Sequence, residues 1–246
     1  MTVVPVLARL GALGLLLALV LTPQSFAPVF RGLTENGAPP IYTQTSLLDL
    51  TLAHLTLVFA ASLVSAVLAL AVGIFVTRPV GAAFLPLSRA LVNIGQVFPP
   101  VAVLAIAVPL VGFGTTPTLI ALVLYGLLPV FETTITGLRE VDPVVVEAAR
   151  GMGLGARQRL WGVELPLALP LILTGLRLTL VINMGTATIG STVAAKGLGE
   201  VIIAGLQSSN TAFILQGGLI VALLAVLIYD GMTLLEGALT GHESRD

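Results

Sequence analysis

Long runs of apolar residues restrict the fold of this chain more than any other feature. A helix needs about 20 mostly apolar residues to cross the roughly 30 Å hydrocarbon layer of a bilayer. Five such runs occur, over residues 10–30, 50–77, 90–131, 165–195 and 201–229, and only the fourth is interrupted by a charge, at Arg177. Charged residues make up 9% of the chain, against about 25% in soluble domains. The sequence therefore predicts an all-α, polytopic membrane protein.

The third run is too long for one crossing. Its middle holds Gly112-Phe113-Gly114-Thr115-Thr116-Pro117, a cluster typical of a turn. A split there predicts six transmembrane helices, over about 6–22, 51–77, 91–112, 117–138, 168–191 and 213–235. We expect a single transmembrane domain over residues 1–246, in which 1–46 form the first helix and an outer loop, 47–238 a five-helix core and 239–246 a tail.

The basic residues predict the orientation of the helices. An even number of crossings leaves both termini on one side. If that side is the cytoplasm, it holds Arg9, Arg78, Arg89, Arg139, Arg150, Arg157, Arg159 and Arg245, whereas the outside holds Arg31 and Lys196. Cytoplasmic loops carry the excess of Lys and Arg, so we expect cytoplasmic N- and C-termini.

The first apolar segment has a second interpretation. Arg9, the leucine-rich stretch and Ser25-Phe26-Ala27 also fit a secretory signal with a small-residue cleavage site. Pro28 directly after that site disfavours cleavage, and removal of the segment would leave five crossings. We therefore expect the helix to be retained.

The loop over residues 139–167, between the fourth and fifth predicted helices, holds eight of the 23 charged residues of the chain. Asp142 followed by Pro143 indicates an N-cap with proline at the first helical position. This predicts a short helix over 144–150 and a second over 156–163 that ends before Pro166.

Several residues in this loop stand at fixed spacing. They are Glu147, Ala148 and Ala149, then Gly153 after three residues, then Val163, Leu165 and Pro166 after nine more. The pattern resembles the EAA loop of ABC-importer permeases, with Val163 in place of the commoner Ile. Further tracts between residues 50 and 236, such as Val141-Asp142-Pro143 and Leu167-Ala168-Leu169-Pro170, are similar to permeases for glycine betaine, carnitine, choline and related osmoprotectants.

The resemblance implies a type I ABC-importer permease fold in the inner (plasma) membrane of a bacterial cell. It also implies two ABC ATP-binding subunits that hold ATP and Mg, a second permease copy or paralogue, and a periplasmic or lipid-anchored solute-binding protein. The residues that couple to the ATPase would be Glu147, Ala148, Ala149, Gly153, Leu165 and Pro166. The alternative without a coupling role is a helix at the membrane interface, in which Glu147 and Arg150 form an exposed ion pair.

Other activities lack their sequence signals. No Gly-x-x-x-x-Gly-Lys-Ser/Thr loop is present, so the chain is not expected to hydrolyse ATP itself. A net charge of -1 gives no basic excess for nucleic acid, and two distant histidines with no cysteine predict no metal centre. Motifs of intramembrane enzymes are missing as well, so we expect no catalytic residues.

Each set of polar residues within the predicted helices has two possible roles. Thr179, Asn183 and Thr186 share one helical face with Gly190, either as part of a solute path or as packing between helices. Glu132 and Asp230 form either a coupling-ion site or, as we expect, pairs with arginine or contacts with headgroups.

Two further polar residues are expected at the membrane interface. Arg177 is expected to snorkel to the cytoplasmic interface, and His54 to lie at the outer interface.

The aromatic residues are scattered and predict no cage for a quaternary ammonium, so tight recognition is expected in the solute-binding protein. An ABC permease for methionine or a sulfonate remains open as an alternative. A secondary transporter driven by an ion gradient is a further rival, although no two-half repeat is evident in the sequence.

Overall fold

The structure, a computed structural model, describes residues 3–240. His242, Arg245 and most of the predicted tail lie outside the described residues. Helices and turns account for all regular structure within this range, in agreement with the predicted all-α class. The α-helices are α1 Val3–Leu21, α2 Ala27–Arg31, α3 Leu47–Val76, α4 Leu85–Val97, α5 Pro100–Val111, α6 Thr115–Arg139, α7 Pro143–Gly151, α8 Ala156–Arg159, α9 Leu165–Thr186, α10 Gly199–Gln207 and α11 Thr211–Thr240.

Four helical stretches are long and apolar enough to cross a membrane without interruption. They are Leu47–Val76, Thr115–Arg139, Ala156–Val193 and Thr211–Leu239. Two interrupted pairs, Val6–Leu21 with Pro23–Arg31 and Ala82–Val97 with Pro100–Val111, raise the number to six if each pair is one span. By length and composition the described residues thus contain four to six candidate crossings, and the predicted six is the upper end of that range.

The predicted third helix, over 91–112, is wrong as a continuous element. The chain leaves the helix at Phe98, which has an extended backbone with φ -85° and ψ 134°, and α5 begins at Pro100. Proline disfavours the helical conformation in the residue before it and has no N–H to continue the ladder. The Pro99-Pro100 pair was the available signal for this break.

The first predicted helix exists as α1, and the chain then turns by 104° into a short helical segment over Pro23–Arg31. Pro23 opens this segment because a proline fits the first turn of a helix, where its missing N–H is not needed. Retention of α1 in the mature protein stays a prediction.

The predicted fifth helix, over 168–191, has different bounds. The α-helix ends at Thr186 and continues as a tighter 3₁₀ segment over Ala187–Val193, which stops at Ala194 with a left-handed φ of 65°. The short helix α10 then occupies part of the region predicted to be an outer loop.

The described chain forms two compact units. The first comprises the residues up to Ala61, Pro99–Leu122 and Leu180–Asp230, and the second comprises Ser62–Phe98, Val123–Thr179 and the residues from Gly231 on. Fully buried side chains of the first unit include Leu50, Leu198 and Ile220. The second unit has a core cluster of Ala69, Val76, Val92, Val130, Phe131 and Ile135. The single domain over residues 1–246 remains a prediction.

Candidate coupling loop and membrane polar residues

Helix α7 begins as the sequence predicts. Asp142 is its N-cap, and the Asp142 carboxylate accepts a hydrogen bond of 2.8 Å from the Val144 N–H. Helix α7 ends at Gly151, and the Gly153 N–H then donates to the Arg150 carbonyl at 2.9 Å. Gly153 has φ 84°, a left-handed conformation that glycine adopts without steric cost. The motif glycine is therefore explained by the turn that follows α7.

Most residues of α7 are exposed. Val144, Glu147, Ala148 and Met152, the last being the residue directly after the helix, follow the i, i+3, i+4, i+8 spacing of a single helical face, which we call the exposed face of α7. Val144 is 72% exposed and Met152 75% exposed. This combination is typical of a surface that another protein covers.

The two alanines of the motif do not share that face. Ala148 is exposed, whereas Ala149 is 2% exposed and lies inside the chain. Adjacent residues point about 100° apart on an α-helix. Ala148 is therefore accessible on the surface of the loop, whereas Ala149 packs within the chain.

The second predicted helix of the loop, over 156–163, does not end before Pro166. Helix α8 runs into a π-helical turn over Leu160–Glu164 and then directly into α9. The Leu165 N–H bonds to the Leu160 carbonyl, five residues back instead of four. Because Pro166 has no N–H and its ring crowds the carbonyl four residues earlier, the wider turn allows the helix to pass through proline.

The end of the loop packs into the second unit. Leu165 contacts a cluster formed by Leu138, Ala168 and Ile172, whereas Pro166 is exposed. Glu164 is buried, and its Oε2 accepts a hydrogen bond from Arg78 Nη1 at 2.6 Å. Sequence reasoning missed this pair, because its members are 86 residues apart and Glu164 occupies an unspecified position of the motif.

The two membrane carboxylates expected to pair with arginine do so. Glu132 receives two hydrogen bonds from Arg89, at 2.7 and 2.8 Å. Asp230 receives two from Arg9, with Nε at 2.6 Å and Nη2 at 2.9 Å. Each carboxylate is therefore neutralised in place, as a charge at membrane depth requires.

Arg177 also has partners, which the snorkelling interpretation did not predict. Its Nη1 donates to the Thr233 hydroxyl at 2.8 Å and lies 3.1 Å from Glu236 Oε2. Both acceptors belong to α11, and the Arg177 side chain is only 16% exposed. The guanidinium is held by a neighbouring helix, a long-range contact that local sequence does not reveal.

The expectation that His54 is interfacial is wrong. His54 is fully buried in the first unit, and its Nε2 lies 3.0 Å from the Met184 carbonyl. A carbonyl only accepts, so Nε2 carries the proton in this contact. Met184 lies in the last turn of α9, just before the helix tightens into the 3₁₀ segment.

The proposed path residues Thr179, Asn183 and Thr186 lie on α9 as predicted, but the first two are fully buried. The Thr179 hydroxyl donates to the Gly126 carbonyl at 2.9 Å, and an added Cβ at Gly126 would lie 2.9 Å from the Thr179 methyl. These contacts match the packing alternative for Thr179. Thr186 is half-buried.

The described residues contain no group of three His, Cys, Asp or Glu that could hold a metal ion.

The chain is similar in sequence to known membrane transport proteins. The sequence model of the family described as binding-protein-dependent transport system inner membrane component matches residues 69–240, a range that includes the whole loop. The osmoprotectant import permease protein OsmY of Salmonella typhimurium is 37% identical over 185 residues, which cover 75% of this chain and 78% of OsmY. The carnitine transport permease protein OpuCD of Listeria monocytogenes is 39% identical over 164 residues, covering 66% of this chain and 73% of OpuCD.

A solved structure shares the fold. It is an inward-facing conformation of the MetNI methionine ABC transporter, with a TM-score of 0.71 and 25% identity. The match covers 79% of this chain and 96% of that one. The match thus covers nearly the full length of a solved transporter chain.

Proposed function

The chain belongs to the family of binding-protein-dependent transport system inner membrane components, and from that premise we propose that it is the permease subunit through which an ATP-driven importer takes up osmoprotectants. The solute class is that of glycine betaine, choline and carnitine. The names of the relatives support it, since OsmY is an osmoprotectant import permease and OpuCD a carnitine transport permease.

The observation that carries the coupling part of the proposal is the exposed face of α7. A capped, rigid helix presents Val144, Glu147, Ala148 and Met152 outward at the position of the family motif. We expect this face to enter a groove of an ATP-binding subunit, with Glu147 as its polar anchor. Desolvated apolar side chains around one charge are a common basis of affinity in protein interfaces.

The partners follow from the same premise. The chain has no phosphate-binding loop of its own, so two ATP-binding subunits would hold ATP and Mg and hydrolyse the nucleotide. A second permease, identical or a paralogue, would complete the membrane part, and a solute-binding protein would deliver the cargo. Ligand-dependent preference of that receptor for one conformation would order the steps.

The orientation is part of the proposal. With both termini in the cytoplasm, the loop that contains α7 lies on the side where ATP is available, and the inner side carries the excess of arginine. The same orientation puts Lys196 outside, where it is exposed.

Of the three polar residues on α9, we propose that only Thr186 lines the solute path. Thr186 is the half-exposed member of the polar face of α9, whereas Thr179 and Asn183 are fully buried. Replacement of Thr186 by valine keeps the shape of the side chain and removes its hydroxyl, so a reduced uptake rate at unchanged assembly would support this position.

The test of the function is the Glu147→Lys variant in the complex with its ATP-binding and solute-binding partners. We expect the subunit to insert normally and solute-stimulated ATP hydrolysis to fall by at least about tenfold, which is about 1.4 kcal/mol. Charge reversal on the exposed face would repel the groove that accepts Glu147.

The matched control is Glu140→Lys, which makes the same charge change at an exposed residue of the same loop outside α7. It should retain stimulation. Normal stimulation in Glu147→Lys would contradict the proposal, and so would solute uptake by proteoliposomes that contain this chain alone.

Methionine is the second candidate solute, because the MetNI transporter shares the fold at 25% identity. Binding measurements on the partner receptor separate the two. A receptor that binds methionine and no quaternary ammonium compound would change the solute and leave the coupling proposal intact.

A further inference from the structure

The loop over residues 139–167, which we call the coupling loop, has one buried carboxylate, that of Glu164. Glu140 and Glu147 are exposed, whereas the Glu164 side chain is 10% exposed. Its Oε2 accepts a hydrogen bond of 2.6 Å from Arg78 Nη1. Breaking such a pair leaves a charge without its partner in a poorly solvated place. The pair therefore resists separation of the two segments that it joins.

The Arg78 end of the pair is fixed by its own turn. Arg78 follows α3 directly, and its Nε and Nη2 lie 3.4 and 3.3 Å from the Thr77 hydroxyl. That hydroxyl donates to the Ile74 carbonyl at 2.7 Å, and the Gly81 N–H donates to the Arg78 carbonyl at 3.0 Å. A Cβ at Gly81 would lie 2.1 Å from the Phe75 carbonyl oxygen, so this turn is tightly packed against the last part of α3.

The Glu164 end is fixed by the π-helical turn. Glu164 is the last residue of that turn and immediately precedes α9. The extra residue in a π turn shifts the register of the side chains that follow it, and such turns are frequent at functional sites. The turn thus determines the direction in which the carboxylate leaves the helix.

An apolar cluster joins the same segments. Its buried members come from α6 and α9, and the hydrophobic residues packed against them come from α3, the π turn and the start of α9. They are Leu138, Ala168 and Ile172, with Leu70, Ile74, Leu160 and Leu165. The ion pair and the cluster therefore connect α3 to the returning half of the coupling loop, all within the second unit.

We propose that the Arg78–Glu164 ion pair is a positioning element for energy coupling. It fastens residues 160–164 to the end of α3, so that a displacement of the coupling loop moves α3 together with α9. Without the pair, the loop would move α9 while α3 lagged behind. This inference rests on the proposed function of the loop and extends it to a residue that the motif leaves open.

The first experiment uses the absence of cysteine from the chain. A variant with Arg78→Cys and Glu164→Cys carries two thiols and no ion pair. In the full complex with cysteine-free partners, we expect the solute moved per ATP to fall by about five- to tenfold. Joining the two thiols with a short bifunctional reagent should restore the ratio, because the segments again move as one body.

Either of two results would overturn the proposal. One is a double-cysteine complex that transports normally before cross-linking. The other is a cross-linked complex that hydrolyses ATP and still moves no solute, which would mean that the segments must separate during the cycle.

The second experiment tests charge pairing without cross-linking. Glu164→Gln keeps the shape of the side chain and should reduce solute moved per ATP, while the exchange of Arg78→Glu with Glu164→Arg should recover part of it. The control is the same exchange at Arg9 and Asp230, an ion pair of similar length that belongs to the first unit and not to the loop, which should leave the ratio unchanged.

The two proposals fail in different ways. If the wild-type complex shows no solute-stimulated hydrolysis, the proposed function is wrong and this inference with it. If wild type couples, Glu147→Lys does not, and Glu164→Gln behaves as wild type, only the role of the ion pair is wrong.

Discussion

Gly126 explains the burial of Thr179, a polar side chain in the middle of a membrane helix. Three helices approach at this residue, since an added Cβ would lie 2.5 Å from Ser65 Oγ and 2.9 Å from the Thr179 methyl. Ser65 donates to the Val123 carbonyl at 3.0 Å, and Thr179 to the Gly126 carbonyl. Small and hydroxyl-bearing residues allow such close approach in lipid, where they also satisfy each other.

This geometry predicts that Gly126→Ala destabilises the protein by about 1–3 kcal/mol, because the methyl must displace a neighbouring helix. Thermal unfolding in detergent measures the effect. Gly185→Ala is the control, since an added Cβ there meets nothing within 4 Å on another helix. It should be neutral or stabilising by up to about 1 kcal/mol, and equal stability of the two variants would contradict the packing role.

At this scale the sequence predicts local chemistry and misses distant partners. Asp142 was assigned correctly, because a helix cap depends on neighbours within a few residues. The partners of His54 and Arg177 were not predicted, because they lie 130 and 56 or more residues away. An ionisable residue in an apolar run signals that a partner exists, but not which one.

Two prolines show how the same residue acts differently in two elements. Pro99 follows an extended Phe98 and is followed by a second proline, and the helix stops. Pro166 follows a π turn that supplies a bond across five residues, and the helix continues. The predicted bounds failed at both places, because proline alone does not indicate whether a neighbouring turn compensates for the lost hydrogen bond.

The start of α11 gives a prediction at the scale of one element. Asn210 Oδ1 accepts from the Ala212 N–H at 3.1 Å, and its Nδ2 donates to the Pro39 carbonyl at 2.9 Å. Asn210→Ala loses both contacts and should lower the free energy of unfolding by about 1–2 kcal/mol. Asn210→Asp keeps the acceptor and loses the donor, so thermal unfolding should place it between wild type and Asn210→Ala.

The result that would contradict this assignment is an Asn210→Ala variant as stable as wild type. A second such result is an Asn210→Asp variant less stable than Asn210→Ala, which would mean that the cap contributes nothing.

At the scale of the whole molecule, the apolar runs and the few charges between them were the most informative properties of the sequence. They predicted the membrane class and six crossings, the upper end of the four to six that the described residues contain, and the basic residues set the proposed orientation. The division of long helices between two compact units was not predictable, because composition is similar along each helix while the division depends on contacts between distant segments.

The orientation can be measured with single cysteines in this cysteine-free chain. Glu35 and Arg157 are both exposed, on segments expected outside and inside. A membrane-impermeant maleimide should label Glu35→Cys in right-side-out vesicles and label Arg157→Cys only after permeabilisation. The reverse pattern would put α7 on the side without ATP and would refute the proposed function.

The separation of the two motif alanines has an evolutionary consequence. Ala149 packs within its own loop, whereas Ala148 lies on the face that we propose binds an ATP-binding subunit. On that proposal, relatives that work with a different ATP-binding subunit would differ at positions 144, 147, 148 and 152 and keep alanine at position 149.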